Sequence, residues 1–303
     1  MNFKPLTVYD YDTIKVFFTG QPYSLCVYSP ASLIAWSNRV FINRYTIADE
    51  ILFIAGEAED HSQDRHLILP ISKDRVYSPK ELHRFAGKLG FRQYWYAPGD
   101  YLESLDRSEL EALFIMEEQK EFADYIYLTE DLAGLKGNRF SKKRNLIHQF
   151  AREYIRKGRV AVEDVHEKNV PECLQFLEIW CKEYACDVDQ ESSLACEKEA
   201  LITTFENIGT LESTGILIRV DGAVSAFGIG SRLNGETGTL NFEKAFAGIK
   251  GLYQFLDNEC AKRLFAGYRY INKESDMNLP NLAEAKQSYH PVSRVKSFAL
   301  ILR

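Results

Sequence analysis

Asn241-Phe242-Glu243-Lys244-Ala245-Phe246-Ala247-Gly248-Ile249-Lys250-Gly251-Leu252-Tyr253-Gln254 joins the end of an expected strand to the start of an expected helix. A charged pair, Glu243 and Lys244, opens the connection, and Gly248 and Gly251 flank Lys250. Strand, glycine-bearing loop and helix start together present unpaired backbone N–H groups and a positive dipole end to a phosphate. Gly248 and Gly251 would let a ligand approach the backbone, and Lys250 would add a full charge. The bland alternative is a tight strand-to-helix turn with a solvated lysine. On this stretch alone both stay open.

Outward from it, the pattern predicts a helix over 252–265, a strand over 268–272, a short helix over 280–286 and a last strand over 295–302. On the amino side three strands, 211–220, 223–231 and 236–242, lead into the stretch. Asp221-Gly222 joins the first two as a two-residue hairpin turn. A strand over 160–165 and helices over 171–185 and 194–207 precede them. The carboxyl half therefore reads β-α-α-β-β-β-α-β-α-β.

The amino half shows a similar order without visible repetition of sequence. Helices are expected over 7–19 and 29–36, then strands over 39–47, 50–55 and 65–71. Ser78-Pro79-Lys80-Glu81 starts a helix that Gly90 stops. A strand over 91–96, a helix over 107–115 and a strand over 122–128 follow. A linker, 129–140, leads to a long basic helix capped by Ser141, with Leu146, Phe150 and Tyr154 as its apolar stripe, ending near Gly158. The division is an amino-terminal domain, 1–135, a basic linker helix, 136–158, and a carboxyl-terminal domain, 159–303. Nothing in the amino half matches the glycine–lysine stretch, so catalysis is expected in the carboxyl half.

A chain of 303 residues, 46% hydrophobic and 13% aromatic, can bury two ordinary cores. No apolar run approaches the roughly 20 residues of a membrane span, and no apolar signal core follows the first five residues. A cytoplasmic location is the expectation. Six cysteines (Cys26, Cys173, Cys181, Cys186, Cys196, Cys260) show no Cys-x-x-Cys pair, and no histidine stands among the four between 173 and 196. They read as helix-borne thiols, with no metal. Net charge is −6, yet nine Lys/Arg and one acid, Glu153, fall between 136 and 159. Such asymmetry makes a basic patch on an acidic body.

The element order resembles the GNAT-type acyltransferase fold. In that fold a mixed sheet splays after its fourth strand and a cofactor pyrophosphate binds at the next helix start. Three motifs narrow the resemblance: Leu135-Lys136-Gly137 through Lys143-Arg144-Asn145; Asn241 to Ala245 with Ile249 to Gln254; and Leu282-Ala283-Glu284-Ala285-Lys286-Gln287-Ser288-Tyr289-His290-Pro291. Together they are similar to the soluble bacterial group related to the carboxyl-terminal catalytic domain of phosphatidylglycerol lysyltransferases. The resemblance implies a tandem GNAT-like α+β fold, with two mixed sheets flanked by helices. It also implies acyl-CoA or aminoacyl-tRNA as donor, and a small-molecule or lipid acceptor. The chain departs from the pattern at Ala283 and Lys273, where the group carries arginine. Both replacements weaken bidentate recognition of phosphate or carboxylate.

Acyl transfer needs a base for the attacking group and an acid for the leaving group. Glu243 is the candidate base and Tyr289 the candidate acid, with Lys286 three residues earlier on the same helix face. Asn272, Glu274 and Asp276 alternate at a strand end, where period two would put them on one face to hold a cationic substrate. Lys142, Lys143 and Arg144 suit RNA backbone or an anionic head group. The reading is an acyl or aminoacyl transferase acting on an amine or hydroxyl acceptor. The alternative is a catalytically silent protein on the same scaffold that binds RNA or anionic lipid.

Overall fold

The computed structural model describes residues 2–38, 41–58, 61–73, 75–184 and 193–303; Cys186 lies outside them. Among the described residues fourteen strands form two seven-stranded sheets. The first sheet contains β1 (Lys4–Pro5), β2 (Phe41–Ala48), β3 (Ile51–Ala58), β4 (His61–Leu67), β5 (Gln93–Pro98) and β6 (Phe114–Glu118). The second contains β7 (Asp124–Leu128), β8 (Val160–Asp164), β9 (Thr214–Val220), β10 (Ala223–Arg232), β11 (Thr237–Ala245), β12 (Tyr270–Asn272) and β13 (Ser293–Val295). The last strand, β14 (Ser297–Leu302), returns to the first sheet.

Strand order is β1-β2-β3-β4-β5-β14-β6 in the first sheet and β13-β7-β12-β11-β10-β9-β8 in the second. Each is antiparallel except for one parallel pair, β4–β5 and β11–β12. A helix makes each parallel crossover, Pro79–Leu89 in the first half and Leu252–Arg263 in the second. The sequence devices that set these elements are visible in place. Ser78 and Glu81 form a reciprocal capping box, and Gly90 stops the helix in the left-handed region at φ 75°. Asp221 and Gly222 take φ 53° and 83°, the double positive turn that a two-residue hairpin requires.

Two strands are exchanged between the halves. β7 belongs by sequence to the first 135 residues but lies between β12 and β13, pairing Tyr270 with Leu128 and Arg294 with Tyr125. β14 lies between β5 and β6, where Phe298 faces Ala97 on one side and Glu118 on the other. Three local expectations also change. Residues 114–118 form β6 rather than the end of a helix, residues 129–134 form a short helix, and Ser141 is the first residue of its helix with no side-chain capping bond.

Tyrosines fill the first half where its sheet opens. Tyr23, Tyr28, Tyr77 and Tyr94 are each at most 1% exposed. Their hydroxyls bond to Pro70, Tyr96 and Leu82 carbonyls and to Ser72 Oγ. Every polar tip is satisfied, so the region is packed core. The second half opens at the matching place, and there the side chains are charged.

Candidate functional site

β11 and β12 run parallel for three residue pairs, Thr237 with Tyr270, Gly238 with Ile271 and Thr239 with Asn272. Beyond Asn272 the strands part. β11 continues beside β10 as far as Ala245, while the chain after β12 turns away, with Glu274 at φ 57°. Side chains bridge the gap. Asn241 and Glu243, two residues apart on β11, point to the same side as strand geometry requires. Asn241 Nδ2 donates to Glu274 Oε1 at 3.2 Å, and Lys273 Nζ donates to Glu243 Oε2 at 3.1 Å. Lys244, on the opposite face, pairs instead with Glu197 at 2.7 Å and lies over the Trp180 ring.

Glu243 is largely buried, its side chain 17% exposed, and Lys273 and Asp257 are more so at 10% and 4%. Lys273 Nζ reaches Asp257 Oδ2 at 2.6 Å, so one ammonium serves two carboxylates. Burial pushes the Glu243 carboxyl up to about 7, against the pull of Lys273. Lys273 is held above the ordinary lysine range because Asp257 and Glu243 outweigh the burial of its charge. Asp257 was not among the residues picked from the sequence. Its signal was an acid on the core-facing side of the Leu252–Arg263 helix, among the buried Phe255, Leu256 and Cys260.

Tyr289 closes the other side of the site and is 8% exposed. Its hydroxyl faces the Asp257 carboxylate, and burial raises it well above the usual phenol range. Two ammonium groups lie over its ring, Lys143 Nζ at 3.7 Å and Lys273 Nζ at 5.1 Å from the centroid. Lys286 comes to the same region but is spent on backbone. Its Nζ donates to the carbonyls of Lys273 at 2.5 Å, Glu274 at 3.1 Å and Ser275 at 2.5 Å. Lysine carries three donors, so that set is complete.

Asn272, Glu274 and Asp276 do not share a face, because β12 ends at Asn272. Asn272 is fully buried, donating to Ser24 O at 3.1 Å and Asp124 Oδ2 at 2.8 Å. Asp276 accepts from the Tyr125 hydroxyl at 2.5 Å and from Arg294 at 3.3 Å. Of the three, Glu274 faces the gap, its carboxyl pushed up to about 8 by burial and by the neighbouring Asp124.

The glycine–lysine stretch is also divided. Gly248 and Lys250 are exposed, and nothing lies within 4 Å of where a Cβ on Gly248 would be. Gly251 precedes the helix at φ 84°, and a Cβ there would stand 2.2 Å from the Leu146 carbonyl oxygen. The close approach at Gly251 is therefore made by the basic helix Ser141–Glu153. That docking also sorts the basic triplet. Lys142 is exposed, Arg144 donates to the carbonyls of Leu135 and Gly137, and Lys143 turns into the site. Elsewhere in the patch Arg139, Lys157 and Arg159 are paired with Asp131, Glu153 and Asp221. Among the described residues no group of three or more His, Cys, Asp or Glu is placed to hold a metal ion.

Paired mixed sheets, each with a crossover helix beside its single parallel pair, define a tandem GNAT-like fold. Residues 71–301 match the family described as phosphatidylglycerol lysyltransferase, C-terminal, and the chain belongs to that family. Among solved structures, a conserved protein of unknown function from Bacteroides thetaiotaomicron VPI-5482 is 30% identical over 100% of both chains, with a TM-score of 0.87. The C-terminal domain of a protein assigned as a lysylphosphatidylglycerol synthetase, from Agrobacterium fabrum, gives a TM-score of 0.65 at 14% identity, covering 97% of this chain and 90% of that one. A tandem GNAT protein from the clavulanic acid biosynthesis pathway covers 98% of this chain and 97% of its own at 10% identity, with a TM-score of 0.48. No curated protein matches the sequence. Among the described residues no helix is long and apolar enough to cross a membrane.

Proposed function

We propose that this chain transfers an acyl or aminoacyl group from acyl-CoA or aminoacyl-tRNA to an amine or hydroxyl acceptor. The observation that carries the reading is Glu243, a carboxyl at the opening between β11 and β12 whose proton affinity is set near neutrality. A general base works best with a pKa near the working pH. In the step, the acceptor nitrogen or oxygen attacks the donor carbonyl carbon and its proton passes to Glu243. The donor's C–S or C–O bond breaks, and the leaving atom takes the Tyr289 phenol proton. Tyr289 is held protonated by burial and by nearby Asp257 and Glu243, which suits an acid. Lys273 orients the Glu243 carboxylate. Lys286 fixes the turn that carries Lys273 and Glu274, and Glu274, whose carboxyl stays protonated up to about 8, remains in the gap to hydrogen-bond the acceptor. Gly248 and Lys250 offer the exposed part of a phosphate contact for the donor. The family's name supports a lipid or small-molecule acceptor.

The test is transfer of a labelled acyl or aminoacyl group from each donor class to an amine acceptor. Glu243→Gln is expected to lower the rate by roughly 10²–10⁴-fold, the range of a lost general base. Tyr289→Phe is expected to lower it as well. Unchanged rates in both variants would remove these roles.

A further inference from the structure

Two lysines, Lys143 and Lys273, lie over the Tyr289 ring, a third, Lys286, lies over Tyr125, and their partners differ. Lys273 is neutralised by Glu243 and Asp257. Lys286 is filled by three carbonyls. Lys143 is half-buried and has one hydrogen bond, to Ser288 Oγ at 2.7 Å, whose own proton goes to the Ala285 carbonyl at 2.6 Å. Among the described residues no carboxylate lies within ion-pair distance of Lys143. Two of its three donors are thus left without a protein acceptor, beside the Tyr289 ring at 3.7 Å.

Burial lowers the proton affinity of Lys143, while Asp257 and Glu243 across the site pull the other way. The neighbours Lys142 and Arg144 show that the position is special. One is solvated and the other is tied to backbone. A half-buried ammonium with two open donors beside the candidate acid is what an anion subsite looks like before its ligand arrives. Among the described residues no arginine is placed at this ammonium, so an anion here would be held by a point charge with rotatable donors rather than by a planar fork. A lysine point charge suits a phosphate.

We propose that Lys143, seated on Tyr289 and Ser288, is an internal subsite for a phosphate group of the substrate. It rests on the transfer reading only for the word substrate; the binding itself does not depend on turnover. Such a subsite would set the phosphate-bearing molecule against Tyr289, next to Glu243.

Calorimetric titration of the full chain tests it, with inorganic phosphate and dimethyl phosphate as probes and acetate as the planar comparator. The first stands for a free or terminal phosphate and the second for a diester, and the tighter one identifies the source. Lys143→Gln is expected to weaken binding at least ten-fold, Lys143→Arg to restore part of it, and Lys142→Gln to change it less than two-fold. Equal binding by wild type and Lys143→Gln, absence of binding by the wild type, or acetate binding as tightly as phosphate would overturn the proposal. Glu243→Gln separates the two readings. If it loses transfer while wild type shows no phosphate binding, the transferase reading stands and the subsite fails. If phosphate binds through Lys143 while Glu243→Gln leaves transfer unchanged, the subsite stands and the base assignment fails.

Discussion

Glu243 is a glutamate pushed from 4.5 up to about 7 by burial, with Lys273 limiting the rise. Between those two values the native chain holds a proton that the unfolded chain has released. Stability contributed by the neutral carboxyl is therefore present below about 4.5 and lost as pH rises through about 7. Glutamine cannot ionise. Thermal melts are expected to show Glu243→Gln gaining on wild type as pH rises from 5 to 8, with little difference at pH 5; the opposite trend would contradict the burial argument. Glu243 and Tyr289 could be picked out in the sequence because each follows or precedes a recognisable element. Lys143 could not be told apart from Lys142 and Arg144. Neighbours on a helix point about 100° apart, and which one faces inward depends on what the helix docks against.

Docking of that helix is decided at Gly251. From sequence, strand, glycine, lysine and helix read as a phosphate cradle, because a glycine marks close approach without saying what approaches. Here it is the Leu146 carbonyl. Gly251→Ala combines a left-handed backbone with a collision against main chain, and is expected to cost about 2–4 kcal/mol. Gly248→Ala, facing open space, is expected to stay within about 0.5 kcal/mol. Denaturant unfolding of both variants checks the pair; equal effects would mean that Gly251 is not a packing contact. Other elements were legible where a local device sets them, such as the Ser78–Glu81 box or the Asp221-Gly222 turn. β6 was not. Phe114, Ile115 and Met116 extend a helical pattern, and only pairing with β14, far along the chain, makes them a strand.

At the scale of the molecule, the halves hold one another through exchanged strands. β14 is an interior strand of the first sheet and β7 an interior strand of the second. Asp124 on β7 also accepts from the Cys26 amide at 2.6 Å and from Asn272, tying the amino-terminal segment to the edge of the site. Deleting residues 297–303 would leave β6 without a partner and β5 paired with β4 alone, and the chain is expected not to fold. The intact chain is expected to unfold in a single calorimetric transition, whereas two resolved transitions would show halves that fold independently. None of this exchange could be read in the sequence, because long-range pairing leaves no local mark. The pattern of elements did show a similar order in both halves, and the resemblance to the GNAT-type fold implied the two mixed sheets.

The central claim is that Glu243 is the base, and the most direct measurement is the transfer rate across pH 5–9 for wild type and Glu243→Gln. Both donor classes would be offered with an amine acceptor. The wild-type rate should rise through about pH 7 and level off above it, as Glu243 loses its proton. The variant should lose both the rate and that inflection. A variant that keeps the wild-type rate and the same pH profile would contradict the account.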